Sequence, residues 1–347
     1  MNRTRRSMCV PAFFVLSALP LGAAHNRPIG DSKVIAAVPL PGYPEGVAVK
    51  GDRIYVSGPA AFGVTDAAMV WSYDRDSGAL VEQFPVTIGN PYVGVHALSC
   101  IAFGPGGDLY AIEPFVGIIR MRLNNQNSQE VYSAFPPPPA TGGALPNDLA
   151  FDKHDNLYVT DTFQGLIYRI PKGGGAPEVW FQDPRLLGNP SAPFGVNGIR
   201  IDKKNDYIYF SVTVRGDFSG AIYRLPLVAH PTAAQLEEFH IYPASPYGPP
   251  APDGIAFGKS GKLYVALAGA SLISVLGSNG AELTVLNGPA SYDGTPNTLQ
   301  WANPANIAFN DHEDALVVTN HASLVPYDPA LFAIFDVYVD DKGDPLP

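Results

Sequence analysis

One strand motif recurs six times at a mean spacing close to 52 residues, and each copy places one residue at the same point ahead of an apolar stretch. The copies are Glu45-Gly-Val-Ala-Val49, Ser99-Cys-Ile-Ala-Phe103, Asn147-Asp-Leu-Ala-Phe151, Asn197-Gly-Ile-Arg-Ile201, Asp253-Gly-Ile-Ala-Phe257 and Ala305-Asn-Ile-Ala-Phe309. A second strand core follows each one: Ile54-Tyr-Val56, Leu109-Tyr-Ala111, Leu157-Tyr-Val159, Ile208-Tyr-Phe210, Leu263-Tyr-Val265 and Leu316-Val-Val318. Turn formers such as Gly104-Pro-Gly-Gly-Asp108 and Lys153-His-Asp-Asn156 separate the two. The unit is therefore a repeated antiparallel hairpin.

A period of this length made of short strands, with no helical periodicity between copies, predicts an all-β, six-bladed β-propeller. Each blade is then a four-stranded antiparallel sheet, and the six surround a central channel. Equivalent residues of the innermost strands form a ring about the axis. Glu45, Asn147, Asn197 and Asp253 are thus expected to meet, although the chain separates them widely. The segment Ser32 to Leu40, rich in Val, Ile and Ala, is expected to pair with the C-terminal region Phe332 to Val339 and close the ring.

Residues 1–24 read as a secretory signal, with Arg3, Arg5 and Arg6 ahead of an apolar run from Val10 to Leu21 and a small-residue site at Gly22-Ala23-Ala24. That run is too short to span a bilayer. Arg5-Arg6 leaves both general and twin-arginine export open. Residues 25–347 are expected to form one propeller domain without an internal linker, in a secreted or periplasmic protein. Pro-rich stretches such as 135–139 and 243–250 punctuate the blades.

Cys9 and Cys100 are the two cysteines of the chain, and Cys9 lies in the signal, so the mature chain has no pair to bridge and relies on its core. Cys100, set among Leu98, Ile101 and Phe103, reads as a buried, inert thiol. A net charge of −10 without any Lys/Arg cluster argues against nucleic acid or an anionic membrane as partner, and suits a small-molecule substrate. Nothing in the sequence sets the oligomeric state.

Two carboxylates and two carboxamides converging on one point make a hard-oxygen site. Such a set suits one divalent cation, Ca2+ first, with Mg2+ or Mn2+ as alternatives. Zinc is disfavoured because no His/Cys cluster stands at ligand spacing. Each of these residues taken alone can equally cap a strand start. The absence of a Gly-x-Ser-x-Gly elbow argues against a serine triad.

The series Pro44-Glu45-Gly46, Asn147-Asp148, Val196-Asn197-Gly198 and Pro252-Asp253-Gly254 resembles the senescence marker protein/gluconolactonase (luciferin-regenerating-enzyme-like) family, related more distantly to diisopropylfluorophosphatase and paraoxonase. The resemblance covers essentially the whole mature chain. It implies Glu45, Asn147, Asn197 and Asp253 as ligands of one catalytic cation, with Asp253 also the base or nucleophile. Sugar lactonases of that family carry an arginine two residues before the first asparagine, where this chain has Leu145. Apolar and aromatic residues are expected to rim the channel: Tyr92, Val93, Phe194, Tyr247 and Trp301. Together with Leu145 they predict a hydrophobic ligand rather than a sugar acid. His96 and His321 are candidates to face the channel as acid or base, or to serve as structural histidines. Asp148 and Asp161 are candidates to orient the ligands from behind Asn147.

These readings point to a divalent-metal-dependent lactonase or esterase acting on a fairly hydrophobic small molecule. Two alternatives stand beside it. The same site can serve a non-hydrolytic enzyme of specialised metabolism, an isomerase or a hetero-Diels–Alderase-like cyclase, or the propeller can bind a ligand without catalysis.

Overall fold

Each repeat folds into a blade whose innermost strand is the motif itself. In the computed structural model, which describes residues 27–64, 66–88, 98–123, 127–141, 143–289 and 299–344, six four-stranded antiparallel sheets form a ring. The inner strands are Val47–Lys50, Ile101–Phe103, Pro146–Phe151, Val196–Ile201, Pro252–Phe257 and Pro304–Asn310. The expected leader, together with Tyr92, Val93 and His96, lies outside the described residues. Among the described residues no helix is long and apolar enough to cross a membrane.

The last blade closes the ring as the N-terminal pattern predicts. Its outermost strand is Ser32–Ala37, which pairs antiparallel with Ala333–Tyr338, beside Ala315–Asn320 and Pro304–Asn310. Chain ends are thereby tied into one sheet. Six hydrophobic clusters, one at each junction between neighbouring blades, supply the core. Strands such as Leu157–Asp161 and Leu263–Leu267 are buried on both faces and read as nearly continuous apolar runs.

The pairing of the inner two strands is interrupted at one place in blades three to six. The register shifts between Pro146 and Leu149, Val196 and Ile199, Pro252 and Ile255, and Pro304 and Ile307. These bulges fall on the motif's lead residue and the one after it. A bulge re-aims side chains, and here it turns the lead residues toward the axis.

In three of these four blades a hydroxyl occupies the gap that the bulge opens in the ladder; in blade five the equivalent residue is Ala266. Thr160 Oγ1 accepts from Asp148 N at 3.1 Å and donates to Asn197 O of the next blade at 2.6 Å. Ser211 takes the N–H of Gly198 and bonds Asp253 O at 2.7 Å; Thr319 takes that of Asn306 and bonds Glu45 O at 2.7 Å. Ser57 links Gly46 to Ser99 O in the same way. One side chain thus pairs a backbone donor in its own blade and an acceptor in the next, which fixes the backbone of Glu45, Ser99, Asn197 and Asp253. Glycine is required where the strands crowd most: a Cβ on Gly198 would stand 2.2 Å from Asp253 O, and one on Gly46 2.6 Å from Ile101 N.

Replacing Thr160 by valine leaves the Asp148 N–H and the Asn197 carbonyl buried without partners. We expect Thr160→Val to lower unfolding free energy by about 1–3 kcal/mol, read from urea denaturation. An unchanged midpoint would mean that the hydroxyl latch contributes no stability.

Candidate functional site

The lead residues stand where the inner strands start, and at the same end the second strands finish: Pro146 pairs with Asp161, Pro252 with Leu267 and Pro304 with Asn320. The loops that follow those second strands therefore rim the ring. Glu45, Asn147 and Asn197 are buried, and Asp253 is partly open to the channel.

Both asparagines are held the same way. The Asn197 amide nitrogen donates to Thr213 Oγ1 at 3.0 Å, and that of Asn147 reaches Thr162 Oγ1 at 3.5 Å. The amide nitrogens are thus occupied and the carbonyl oxygens turned away from them. Asn197 Oδ1 is buried with no hydrogen-bond partner, and Asn147 Oδ1 has a long 3.9 Å thiol contact from Cys100. A buried carboxamide oxygen left unsatisfied costs free energy unless something meets it.

Electrostatics make the same demand. Burial, reinforced by the charge of Asp148, pushes the Glu45 carboxyl up to about 8. Asp253 is raised well above the carboxylate range by burial first and then by the charges of Glu45 and Asp148. Three carboxyl groups are thus within electrostatic reach of one another at the axis, and without a cation ionisation of both Glu45 and Asp253 is disfavoured. Among the described residues no three His, Cys, Asp or Glu side chains group as a metal-holding cluster; the oxygen set here is two carboxylates and two carboxamides. It fits a hard cation such as calcium, whose ligands are oxygens.

His321 stands beside Glu45, its Nδ1 3.6 Å from Glu45 Oε2. Its Nε2 lies 2.8 Å from the Ala60 carbonyl, which can only accept, so Nε2 carries the proton and Nδ1 accepts from Ser323 Oγ at 2.9 Å. Burial lowers its pKa to about 4, and the ring is neutral.

The two carboxylates expected behind Asn147 do other work. Asp148 lies one residue deeper along the axis; its Oδ2 accepts from Arg200 Nη1 at 2.7 Å and from Ile199 N at 3.0 Å, across the junction with the next blade. Asp161 accepts from Leu145 N at 3.0 Å and from Gln164 Nε2 at 2.7 Å, so it holds the rim loops rather than Asn147. The backbone of Leu145 is pinned by that bond, and its side chain is buried.

The rim differs from the expectation in two residues. Trp301 is 2% exposed and packs in the core between blades five and six, its indole against Gly288 and its Nε1 on Ser32 Oγ at 3.1 Å. Its large apolar surface is used between sheets, where burial gains most. Tyr247, 98% exposed, projects from its loop without a wall around it. Phe194 does stand at this end, and it is joined by two residues that sequence reasoning missed. Its ring lies 5.7 Å from that of Phe163, which stacks at 6.2 Å on Phe62. Phe62 comes from blade one and Phe163 from blade three, so the row crosses over the blade between them. Phe62 remains 59% exposed. Thr162 and Thr213 were missed as well, although each follows a second strand core closely.

For a carboxyl, a raised folded-state pKa means that the folded protein keeps a proton the unfolded chain has released. The metal-free protein should therefore lose stability as pH rises from the ordinary 4.5 of a glutamate toward about 8. Excess calcium, by meeting the ionised pair, is expected to flatten that decline. Melting temperatures across this pH window, with calcium and with chelator, check it; parallel curves would count against a cation at the ring.

No family model and no curated protein sequence matches the chain. Solved structures do. A calcium-binding protein, regucalcin, from Agrobacterium tumefaciens is 16% identical, with a TM-score of 0.63 over 91% of this chain and 96% of that one. A luciferin-regenerating enzyme is 14% identical, with a TM-score of 0.60 over 90% and 97%. Virginiamycin B lyase from Staphylococcus aureus is 14% identical, with a TM-score of 0.51 over 85% and 94%. At such identities the likeness lies in the fold: this chain is an all-β six-bladed propeller of the architecture that regucalcin and luciferin-regenerating enzyme share.

Proposed function

We propose that this propeller is a divalent-cation-dependent hydrolase that opens a lactone or related ester of a fairly hydrophobic small molecule at the ring of Glu45, Asn147, Asn197 and Asp253. The observation that carries the reading is the partnerless, buried Oδ1 of Asn197 among carboxyl groups that cannot all ionise unaided. The name of the calcium-binding fold neighbour agrees with calcium as the ion.

A cation held by these four oxygens would polarise the ester carbonyl and acidify water. The remaining steps fall to the chain's own groups. Asp253, the most open of the four, takes the proton from the attacking water as the water oxygen bonds to the carbonyl carbon. The ester C–O bond then breaks, and the proton passes to the departing oxygen. Glu45 holds charge at the site, and neutral His321, locked by Ala60 and Ser323, limits its motion. Leu145 and the row Phe62, Phe163 and Phe194 favour an apolar acyl or ring portion, because an apolar wall does not offset the desolvation of sugar hydroxyls.

Two predictions follow from these roles. Asp253→Asn keeps an oxygen but removes the base, so turnover should collapse by about 10²-fold or more and calcium should not restore it. Glu45→Gln should weaken the cation instead, and added calcium should recover most of its rate. Turnover measured across a calcium titration decides this; rescue of both variants alike would make Asp253 a ligand only, and full activity of both would leave a structural site.

Alkyl or aryl lactones should be turned over faster than gluconolactone. Phe163→Ala should raise KM for them by about tenfold, since a buried aromatic contact is worth roughly 0.5–1.5 kcal/mol beyond its area. A higher kcat/KM for gluconolactone would refute the hydrophobic assignment.

A further inference from the structure

The channel has a second chamber, at the end opposite the ring. A cavity of about 490 Å³ is lined by the inner strands below the lead residues and by the turns that follow the inner strands of blades one, two, three and six. None of Glu45, Asn147, Asn197 and Asp253 borders it. The space exists because five of the six motif copies place alanine at the same register, Ala48, Ala102, Ala150, Ala256 and Ala308, where a larger side chain would fill the axis. One residue further along the strand, Phe103, Phe151, Phe257 and Phe309 also line the cavity.

The fourth copy breaks the pattern with Arg200, the one side chain of the alanine register that carries hydrogen-bond donors. Its Nη1 is used by Asp148 Oδ2 and Ile199 O, at 2.7 and 2.6 Å, and its Nη2 bonds Asn306 Oδ1 at 3.3 Å. A guanidinium has five N–H donors; these bonds use three of them, and Arg200 is one of the residues that line the chamber. Asp148 already meets the charge of Arg200, and Glu45 and Asp253 lie behind it. A further anion gains little there, whereas a neutral oxygen acceptor does. At the mouth, Asp155, Asp311 and Asp344 are each paired with a lysine, Lys172, Lys259 and Lys203, so entry is not guarded by unbalanced charge.

We infer that this lower chamber is a second binding site, for a neutral, predominantly apolar small molecule whose terminal carbonyl or hydroxyl oxygen accepts from Arg200. Its volume lies within the roughly 300–1,000 Å³ of small-molecule sites; the inner-strand wall is mainly apolar with Arg200 on it, while Arg75, Asp155, Asn310, Asp311, His312 and Asp344 border the cavity as well.

Isothermal titration of the calcium-loaded full chain with methyl hexyl ketone tests it, with octanoate as the anionic counterpart. The ketone should bind saturably at one site, and octanoate at least tenfold more weakly. Ala150→Phe and Ala256→Phe, on different blades and each checked for an intact melting transition, should abolish ketone binding by filling the chamber. Arg200→Lys, which keeps the charge beside Asp148 but loses the planar fork, should weaken it about tenfold. Phe163→Ala, at the other mouth, should leave it unchanged. Absence of saturable ketone binding, binding that survives both alanine replacements, or binding lost in Phe163→Ala would overturn the proposal; tighter binding of octanoate would overturn the assignment of a neutral head group.

Discussion

Six strands that start at one axis bring like charges together in a place where water is scarce. Burial raises the cost of ionising Glu45 and Asp253 there, and the neighbouring carboxylates, Asp148 among them, raise it further. Such a cluster would spread apart in a compliant structure. Here it cannot, because the backbones of Glu45, Ser99, Asn197 and Asp253 are fastened to the neighbouring blade by the hydroxyls of Thr319, Ser57, Thr160 and Ser211, and glycines at 46 and 198 let the strands approach within reach of those bonds. Around the latches, an apolar cluster at every blade junction makes the ring hard to open locally. The fold thus keeps an arrangement that costs stability, which is the mark of a site selected for something other than stability.

Arg200 divides the axis chemically. On one side of the Asp148–Arg200 pair lie hard oxygens under an aromatic rim, and on the other an apolar chamber walled by Ala and Phe. Asn306 links the two sides, donating to Cys100 Sγ at 2.9 Å while its Oδ1 meets Arg200. Cys100 is buried, and burial with the nearby carboxylates pushes its thiol well above its ordinary value, so it is held as an inert neutral group. The long loops gather at the ring mouth and the tight turns at the other, a consequence of which strand ends the hairpin turns join. The two mouths can therefore differ in chemistry although one repeat builds both.

Much of this was legible in advance. The blade number, the hairpins and the closing pairing of Ser32–Ala37 with Ala333–Tyr338 follow from the period and from alternation of apolar and turn residues. The latch hydroxyls were legible too, since Ser57, Thr160, Ser211 and Thr319 each follow a second strand core at the same offset. So was Arg200, alone among alanines at its register. What misled was the rim. Trp301 and Tyr247 precede their blades much as Phe194 does, yet one is wedged between sheets and the other stands in solvent.

The physical reason for that division is range. Turn chemistry and strand alternation act over a few residues, so the sequence by itself determined six blades, their hairpins and the oxygen-bearing residues at five of the six lead positions. Which of those oxygens is left without a partner depends on Thr162 and Thr213 folding back, and which aromatics meet depends on the paths of loops from separate blades, as when Phe62 stacks on Phe163. The partner of Arg200 at Asn306 lies 106 residues away. Contacts of this kind are set by ring closure, when all six inner strands converge, and only the tertiary structure decided them.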